Sequence, residues 1–486
     1  MLAGRYKPSP RLVLLAAFGG TSALNYAFGL AMGWLLAPGD YGLLAFAQGL
    51  LLVGGMVLQA GFSWSLARAV VKADGPRERD ALVRGALVAN LALATAIGAI
   101  LVALFAAGPL RDGFERWSVA VVVALCLPFI ALVNTAGGCA QGSERFGIIA
   151  WLGLTEMSCK MLSGAALALV GFGAYGAITG FLVGAVCAAA LGLRKLTRGI
   201  GVRLRGSLKL PDIRTSVAIF GTLIGLSMLL NLDMIGLKLL SQERALVGYY
   251  QAGLVLSTAP YYLVVSAMLP VLFVELARYE NVSATQKTLG ETLGLTAVLI
   301  LPFELVLMAL PEQALLSFFP DAYAPGAPAL KILAIGNTLL VLAAIFSAAF
   351  QAVGRAKVPA LILLAVLLVE PFALWAAVPT GQALGAAWVF VAAAFLTLLC
   401  LVAAYLWESG AACLQQVAPW LIRYVFAVGA GLAAGRLALG LGAAPAVFVG
   451  AGCYLVVATL VRVVRPLAVL PGGGASLRKL ASSVKG

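Results

Sequence analysis

Long apolar runs are the feature that most constrains what this chain can fold into. Of its 486 residues, 62% are hydrophobic and 11% are charged, whereas about a quarter of the residues of an average soluble domain are charged. The runs are about 20–27 residues long without polar and apolar alternation, which favours membrane-spanning helices over the strands of a membrane barrel. Lipid offers no hydrogen-bond partner to backbone N–H and C=O groups, so these groups must bond to one another within each helix. We therefore predict an all-α, polytopic membrane protein.

The runs predict about 14 transmembrane helices and divide the chain into segments. We assign spans 1–6 to a first lobe, residues 1–198, and spans 7–12 to a second lobe, residues 214–409. A cytoplasmic loop, 199–213, joins the lobes. Spans 13 and 14 are appended in 410–465, and a basic flexible tail follows in 466–486. In chain order the predicted spans are 12–36, 43–67, 84–107, 118–138, 148–170, 173–193, 215–238, 247–272, 291–310, 328–350, 358–378, 384–406, 417–437 and 444–463.

A helical hairpin occurs twice in the sequence. The stretch from Leu24 to Val53 consists of two apolar runs that meet at a short polar turn, and a shorter version returns from Leu230 to Leu256. Each predicted lobe holds an even number of spans, so both lobes enter the membrane from the same side. We expect a pseudo-twofold axis along the membrane normal, as in transporters built from parallel repeats. The matched residues are Asn25 with Asn231, Gly29 with Gly236, Leu35 and Leu36 with Leu239 and Leu240, and Gln48 with Gln251.

The positive charges predict the orientation in the membrane. Most of the 33 Lys and Arg residues fall between spans on one side, and the central loop is especially rich in them. An excess of Lys and Arg marks cytoplasmic loops. Both termini are therefore predicted to be cytoplasmic, in a plasma membrane. The net charge of +14 follows from this topology, and we expect no nucleic-acid partner.

Several classes of function are excluded by what the sequence lacks. The chain contains no His, which rules out His-based acid–base chemistry, His metal sites and Ser-His-Asp triads. Its seven Cys form no CxxC motif. The connections between spans leave no room for an extramembrane catalytic domain or a nucleotide-binding loop. We expect no enzyme, no cofactor and no metal site; energy must come from an ion gradient or from the substrate's own concentration difference.

Charged residues inside the predicted spans are the clearest candidate site. An ionisable group at mid-membrane costs roughly 2.5–3.5 kcal/mol on insertion scales, so each needs a reason. Glu156 and Lys160 in span five are four residues apart and share one helix face. Either they form an internal salt bridge, or they line a central cavity in which Lys160 meets an anionic substrate group. In the repeat, Lys160 corresponds closely to Glu370, which precedes Pro371 and is a candidate proton or cation coupling site.

Four further residues complete the candidate set as cavity residues. Asn25 shares a face of span one with Gly29, a spacing that allows either close helix approach or ligand contact. Asp233 lies deep in span seven, and Lys238 in the same span reaches towards the outer rim. Arg423 in span thirteen is either a contact to a lipid phosphate or a residue at the end of its span.

Motifs in both halves resemble a known family. They are LLAPGDYGLLAFAQGL from Leu35, LNLDMIGLKLL from Leu230 with VGYYQAGLVL after it, FFPDAYAPGAPALKILAIGNTL from Phe318, and FQAVGRAKVPA from Phe350. In this order and spacing they resemble the polysaccharide (O-antigen-type) flippases of the multidrug/oligosaccharidyl-lipid/polysaccharide exporter superfamily. The resemblance covers most of the chain between spans one and twelve.

The resemblance implies a bacterial inner-membrane protein with a MATE-like fold, whose spans one, two, seven and eight surround a central cavity. It implies alternating-access transport of an undecaprenyl-pyrophosphate-linked oligosaccharide, a unit of O-antigen, capsule or exopolysaccharide, from the cytoplasmic to the outer leaflet. Membrane lipids and the polysaccharide polymerase and chain-length machinery are the partners it implies. The alternatives are a cation-coupled multidrug antiporter and a peptidoglycan-precursor (lipid II) flippase of the same superfamily. An integral-membrane glycosyltransferase or polymerase is disfavoured, because no large outer loop is present.

Overall fold

The fold is known from a computed structural model and is helical almost throughout, without a strand in the part of the chain that it describes. Only scattered residues of predicted spans 13 and 14 are described, and the predicted tail lies outside the described residues. The described residues are 10–212, 217–264, 269–276, 278–279, 282, 285–409, 426–427, 429–431, 433–435, 437–438, 449–450, 452–454 and 456–457.

The first half of the chain forms helices α1 to α8. Pro38 and Pro76 each occupy the first turn of a helix, where a missing backbone N–H leaves no hydrogen bond unmade. Short π-helical turns continue α2 into α3, follow α7 and extend α8. The helices are α1 (Pro10–Leu35), α2 (Pro38–Leu58), α3 (Trp64–Val71), α4 (Pro76–Ala107), α5 (Arg111–Phe114), α6 (Trp117–Gly142), α7 (Phe146–Leu167) and α8 (Gly173–Arg194).

The second half of the described chain forms helices α9 to α16. A short 3₁₀ segment, Asp321–Gly326, leads directly into α15. The helices are α9 (Val217–Leu229), α10 (Leu232–Leu240), α11 (Arg244–Leu263), α12 (Leu269–Leu276), α13 (Gln286–Ala309), α14 (Pro311–Leu316), α15 (Ala327–Ala352) and α16 (Lys357–Ser409).

Two long helical stretches fold back on themselves. Phe146–Ile200 has 55 residues, which would extend roughly 80 Å as one straight helix, more than twice the ~30 Å hydrocarbon core of a bilayer. The chain reverses around Gly171, whose φ of +101° suits a glycine. As a result α8 packs along α7, with Gly180 against Gly164. α16 reverses in the same way at Gln382 (φ +48°).

Predicted span seven is broken rather than continuous. α9 and α10 meet at a bend of 44°. At the break, the Asn231 side-chain amide donates to the Ser227 carbonyl oxygen at 2.7 Å. Asparagine competes with the helical backbone for hydrogen bonds in this way. The hydrophobic pattern that predicts the span carries no signal for this local competition.

The predicted all-α membrane fold is confirmed, and each of the first twelve predicted spans overlaps described helix. By length and composition, six helices of the described chain could cross a membrane, or up to eight if each of two bent pairs is one span. Each of the two folded-back stretches, Phe146–Ile200 and Lys357–Ser409, is counted as one helix in those numbers. The total of about 14 spans stays a prediction.

The loop between the halves packs on the start of α4. Arg84 donates from Nε to the Ser207 carbonyl oxygen at 2.8 Å and from Nη1 to the Arg203 carbonyl oxygen at 2.5 Å. The Asp80 carboxylate accepts from the Arg203 backbone N–H at 3.0 Å. Arg84 and Asp80 are both buried, so the central loop is held against the first half of the chain.

Candidate functional site

A cavity of about 240 Å³ lies between the two halves of the chain. Its walls come from α1, α2 and one residue of α7 in the first half, and from α11 and the α9–α10 break in the second half. Spans one, two, seven and eight therefore surround it, as the family resemblance implies. Every lining side chain is uncharged. The polar residues that carry the argument below are Asn25, Tyr26, Gln48, Asn231, Gln251 and Thr258.

Two pairs of residues that match in the sequence repeat face this cavity together. Asn25 and its counterpart Asn231 both line it, and so do Gln48 and its counterpart Gln251. The Gln251 side-chain oxygen is buried and has no hydrogen-bond partner in the described structure. A buried amide without a partner is costly unless something else bonds to it. The repeat thus places equivalent amides on opposite walls of one uncharged cavity.

Lys160 lies directly behind the cavity wall. Its ammonium donates to Asn25 Oδ1 at 2.7 Å and sits 4.5 Å from the Phe28 ring centre and 4.7 Å from that of Phe181. The residue is only 3% exposed. Since an ammonium can only donate, it must take the amide oxygen of Asn25. The amide nitrogen, with its two N–H donors, is thereby left for the cavity.

These contacts correct the expectation that Glu156 and Lys160 line the cavity as a charge pair. Neither residue lines it, and in the described part of the chain the two form no ion pair. The physical reason is the packing of α1 and α8 against α7. The Asn25 amide and two aromatic faces draw the ammonium of Lys160 away from its own helix.

Asp233 and Glu370 lie together in the second half of the chain, behind the cavity rather than in its wall. Asp233 is fully buried; it accepts hydrogen bonds from the Tyr250 hydroxyl and from the Met234 backbone N–H, the latter at 2.8 Å. Glu370 is 2% exposed, and both of its carboxyl oxygens lack a partner in the described structure. α10 packs on α16, so the two carboxyl groups lie on neighbouring helices, close enough to interact electrostatically.

Lys238 belongs to a different site, which corrects its assignment to the cavity. Its ammonium is 2.6 Å from Glu115 Oε1, and Arg244 Nε donates to the same oxygen at 3.0 Å. Arg244 also bonds the second oxygen of that carboxylate. The hydrogen bonds that Arg244 donates to Glu115 raise the pKa of the guanidinium. This group, here called the Glu115 cluster, joins the two halves. Arg423 lies outside the described residues.

The Glu115 cluster marks one end of the bundle, which also holds the turn between α1 and α2; we call this the elbow end. Here the two halves are joined by further hydrogen bonds. Trp34 Nε1 donates to the Phe318 carbonyl oxygen at 2.9 Å. The Tyr323 hydroxyl donates to the Leu36 carbonyl oxygen, also at 2.9 Å. The Tyr41 and Tyr323 rings meet edge to face at 5.7 Å. The elbow end is therefore sealed.

Glycines allow the two halves to touch closely at the elbow end. A Cβ added to Gly42 would come within 2.9 Å of the Gly248 backbone nitrogen, and one added to Gly248 would collide with the Pro38 backbone. Contacts of this kind to backbone cannot be relieved by a rotamer change. Any larger side chain at these positions would keep the halves apart.

Sequence reasoning missed three residues of these sites, namely Glu115, Gln48 and Gln251. Glu115 lies in a short loop, and nothing in its sequence context indicates that two cations from the other half converge on it. Gln48 and Gln251 were visible as a matched pair in the repeat, and that match was the signal that could have assigned them to the cavity.

A family profile described as "Polysaccharide biosynthesis protein" matches residues 31–328. No curated protein sequence matches the chain. Among solved structures, the chain is similar to "Lipid II flippase MurJ, inward closed conformation", with a TM-score of 0.71 and 14% identity over 91% of this chain and 98% of the other.

The chain is also similar to an "Inward-facing conformation of a multidrug resistance MATE family transporter of the MOP superfamily", with a TM-score of 0.63 and 16% identity over 82% of this chain and 97% of the other. The outward-facing conformation of a transporter so described gives a TM-score of 0.52 at 15% identity, over 83% of this chain and 96% of the other. At such identities the likeness establishes the fold. It confirms the MATE-like architecture that the sequence predicts.

Proposed function

The chain belongs to the polysaccharide biosynthesis protein family, and on that premise we propose that it flips a polyprenyl-diphosphate-linked oligosaccharide across a membrane by alternating access. The substrate we propose is undecaprenyl-pyrophosphate carrying a unit of O-antigen, capsule or exopolysaccharide. The observation that carries the proposal is the cavity between the two halves, which has side-chain amides in its walls and a buried lysine behind one of them. Membrane lipids surround the protein, and a polymerase with its chain-length regulator is the partner we expect to receive the product.

The cavity chemistry suits a sugar diphosphate. Asn25 offers N–H donors to the cavity because its oxygen is occupied by Lys160, and diphosphate and sugar oxygens are acceptors. The Lys160 charge, in surroundings of low dielectric, makes that wall favourable to an anion. At about 240 Å³, the cavity is smaller than typical ligand pockets of roughly 300–1,000 Å³. The headgroup would therefore enter when the halves part, while its lipid chain stays in the bilayer.

The sealed elbow end corresponds to the outer side of the membrane in this proposal. The predicted topology places both termini in the cytoplasm of a bacterial cell, with the inner membrane as the location. The turn between α1 and α2 then faces outwards. The conformation with this end closed is the one that would receive substrate from the cytoplasmic leaflet.

Asp233 and Glu370 are the coupling site in this proposal. Two carboxyl groups buried together without a cation are unfavourable in low dielectric. Glu370 has no protein partner in the described structure, so a proton or a monovalent cation would supply the missing charge. Binding that ion from the outer side would favour one arrangement of the halves over the other, which is all that coupling requires.

Two related functions remain as competing outcomes. The similarity to a lipid II flippase suggests a peptidoglycan precursor as the substrate, and the similarity to multidrug transporters suggests an organic cation. The neutral, donor-bearing wall next to Lys160 favours an anion over an organic cation. A glycan carrier and a lipid II carrier both move a diphosphate, so the groups attached to the diphosphate distinguish them.

The test is reconstitution into vesicles that contain a fluorescent undecaprenyl-pyrophosphate oligosaccharide. We expect the purified protein to expose the labelled headgroup to a membrane-impermeant quencher within minutes, whereas protein-free vesicles keep about half of it protected. Parallel vesicles carry labelled lipid II or a fluorescent organic cation. Movement of either of these alone, with no movement of the oligosaccharide, would replace the proposed substrate.

The coupling site is tested with Glu370→Gln in the same vesicles. An imposed proton or sodium gradient should accelerate flipping by the unmodified protein and should have no effect on the variant. Glu312→Gln is the matched control, because Glu312 is an exposed acid in the same half of the chain. A variant at Glu370 that still responds fully to the gradient would remove this residue from the coupling mechanism.

A further inference from the structure

The Glu115 cluster contains more positive than negative charge. Lys238 and Arg244 come from α10 and α11 in the second half of the chain, and both bond to the single carboxylate of Glu115 in the first half. Lys238 is 4% exposed, so its charge depends on this one partner. Arg244 also interacts electrostatically with a second acid, Asp40, at the start of α2. Both acids thus belong to the first half, and both cations to the second.

Glu115 is held in an unusual backbone conformation. Its φ is +60°, a region that non-glycine residues rarely adopt. Its backbone N–H donates to the Arg111 carbonyl oxygen at 2.8 Å, which pins the loop in this position. Strained residues of this kind persist where surrounding contacts hold them, and they concentrate at functional sites. Here the strained backbone directs the Glu115 carboxylate towards the two cations of the other half.

Separating the halves at the elbow end would remove the carboxylate from both cations at once. Glu115 would leave with the first half, whereas Lys238 and Arg244 would stay together on the second, next to the N-terminus of α11, where the helix dipole favours negative charge. Two cations that have lost the carboxylate they were paired with, at the mouth of the opened cavity, attract an anion. A group with several negative oxygens would bond both, as phosphates do with Lys and Arg.

We propose that Lys238 and Arg244 form an anion site for a diphosphate at the elbow end, and that Glu115 occupies this site as an internal stand-in while the halves are closed. The diphosphate headgroup and Glu115 compete for the same two cations. In this arrangement the arriving substrate favours separation of the two halves at the elbow end. When the Glu115 carboxylate returns to the two cations, it displaces the diphosphate and the halves close again. The inference rests on the proposed function for the identity of the ligand, but its binding test does not require transport.

The test measures binding of inorganic pyrophosphate to the purified full-length protein in lipid nanodiscs by isothermal titration calorimetry. Glu115→Gln frees the cations, and we expect pyrophosphate to bind about tenfold more tightly than to the unmodified protein, a change of roughly 1.4 kcal/mol. Adding Lys238→Met or Arg244→Met to that variant should abolish the gain. Glu243→Gln is the matched control: it removes an exposed acid next to Arg244 that forms no ion pair in the described structure, and it should leave binding unchanged.

A second variant guards against misfolding. Glu115→Gly removes the same carboxylate and also suits the positive φ at this position, so it should fold and give the same tenfold gain. Unchanged binding in both Glu115 variants would overturn the proposal, and so would a gain that survives replacement of Lys238 and Arg244. If vesicle assays show no glycan flipping but pyrophosphate competes with Glu115 as described, the anion site stands and the proposed substrate falls.

Discussion

Removing the Asn25 oxygen should leave a buried lysine without its acceptor. The perturbation is Asn25→Leu, which preserves the approximate volume of the side chain and removes its polar atoms. In the structure, the Lys160 ammonium makes one hydrogen bond to Asn25 at 2.7 Å and lies over two aromatic rings. Because Lys160 is 3% exposed, water cannot readily replace the lost oxygen.

The magnitude follows from these contacts. A hydrogen bond to a charged group contributes about 1.5–3 kcal/mol, and breaking a buried ionic contact on one side costs about 3–5 kcal/mol. The two ring contacts survive and retain part of the stabilisation of the cation. We expect Asn25→Leu to lower the free energy of unfolding by about 2–3 kcal/mol. Lys160→Met removes the charge itself and leaves Asn25 facing the cavity, so it should cost only about 1 kcal/mol.

The double variant gives the decisive measurement. With no ammonium left to satisfy, Asn25→Leu should add little to Lys160→Met, and the pair should be about 2 kcal/mol more stable than the sum of the single effects predicts. Unfolding in mixed detergent micelles by titration with sodium dodecyl sulfate, followed by tryptophan fluorescence, measures each free energy. Effects that add to within about 0.5 kcal/mol would refute the coupling of these two residues.

Three further predictions concern transport, closure and the central loop. Lys160→Met should reduce glycan flipping about tenfold, equivalent to roughly 1.4 kcal/mol, while the protein level stays normal. Lys331→Met, at an exposed site, should not reduce it. Equal flipping rates for the two variants would remove Lys160 from the transport path. Gly248→Leu should hold the elbow end open and increase labelling, from the outer side, of a single cysteine introduced in the cavity wall. Gly147→Ala, which meets no atom within 4 Å, should leave labelling as it was. Arg84→Met should release the central loop from α4 and accelerate its cleavage by trypsin, and a loop that is cut no faster would show that Arg84 does not anchor it.

Patterns within the chain predict the helices, and the family resemblance implies where the cavity lies. Apolar runs determine where helices can lie in lipid. The repeat assigns Asn25 and Asn231, and likewise Gln48 and Gln251, to equivalent places in the two halves. In the structure all four line the same cavity, the first residue of each pair on one wall and the second on the opposite wall. The repeat match could have led to this placement without knowledge of any contact, because repeat symmetry brings equivalent residues to a common axis.

The partners of the charged side chains could not be predicted in the same way. Helical spacing favours Glu156 as the partner of Lys160, whereas the structure gives it Asn25, a residue 135 positions away. Lys238 bonds Glu115, 123 positions away. Which neighbour a long side chain reaches depends on how helices from distant parts of the chain pack. Local periodicity carries no information about that packing.

The two walls of the cavity differ in hydrogen-bonding character although they derive from one repeat. On the first half, Lys160 occupies the oxygen of Asn25, so the wall presents donors. On the second half, Asn231 donates one N–H to the Ser227 carbonyl oxygen and keeps its own side-chain oxygen as an acceptor, and Asp233 and Glu370 are buried behind this wall. An anion is therefore favoured at the first wall and a cation behind the second. If substrate and coupling ion bind in this way, each stabilises a different half, and both can change the balance between the open and closed arrangements without competing for one position.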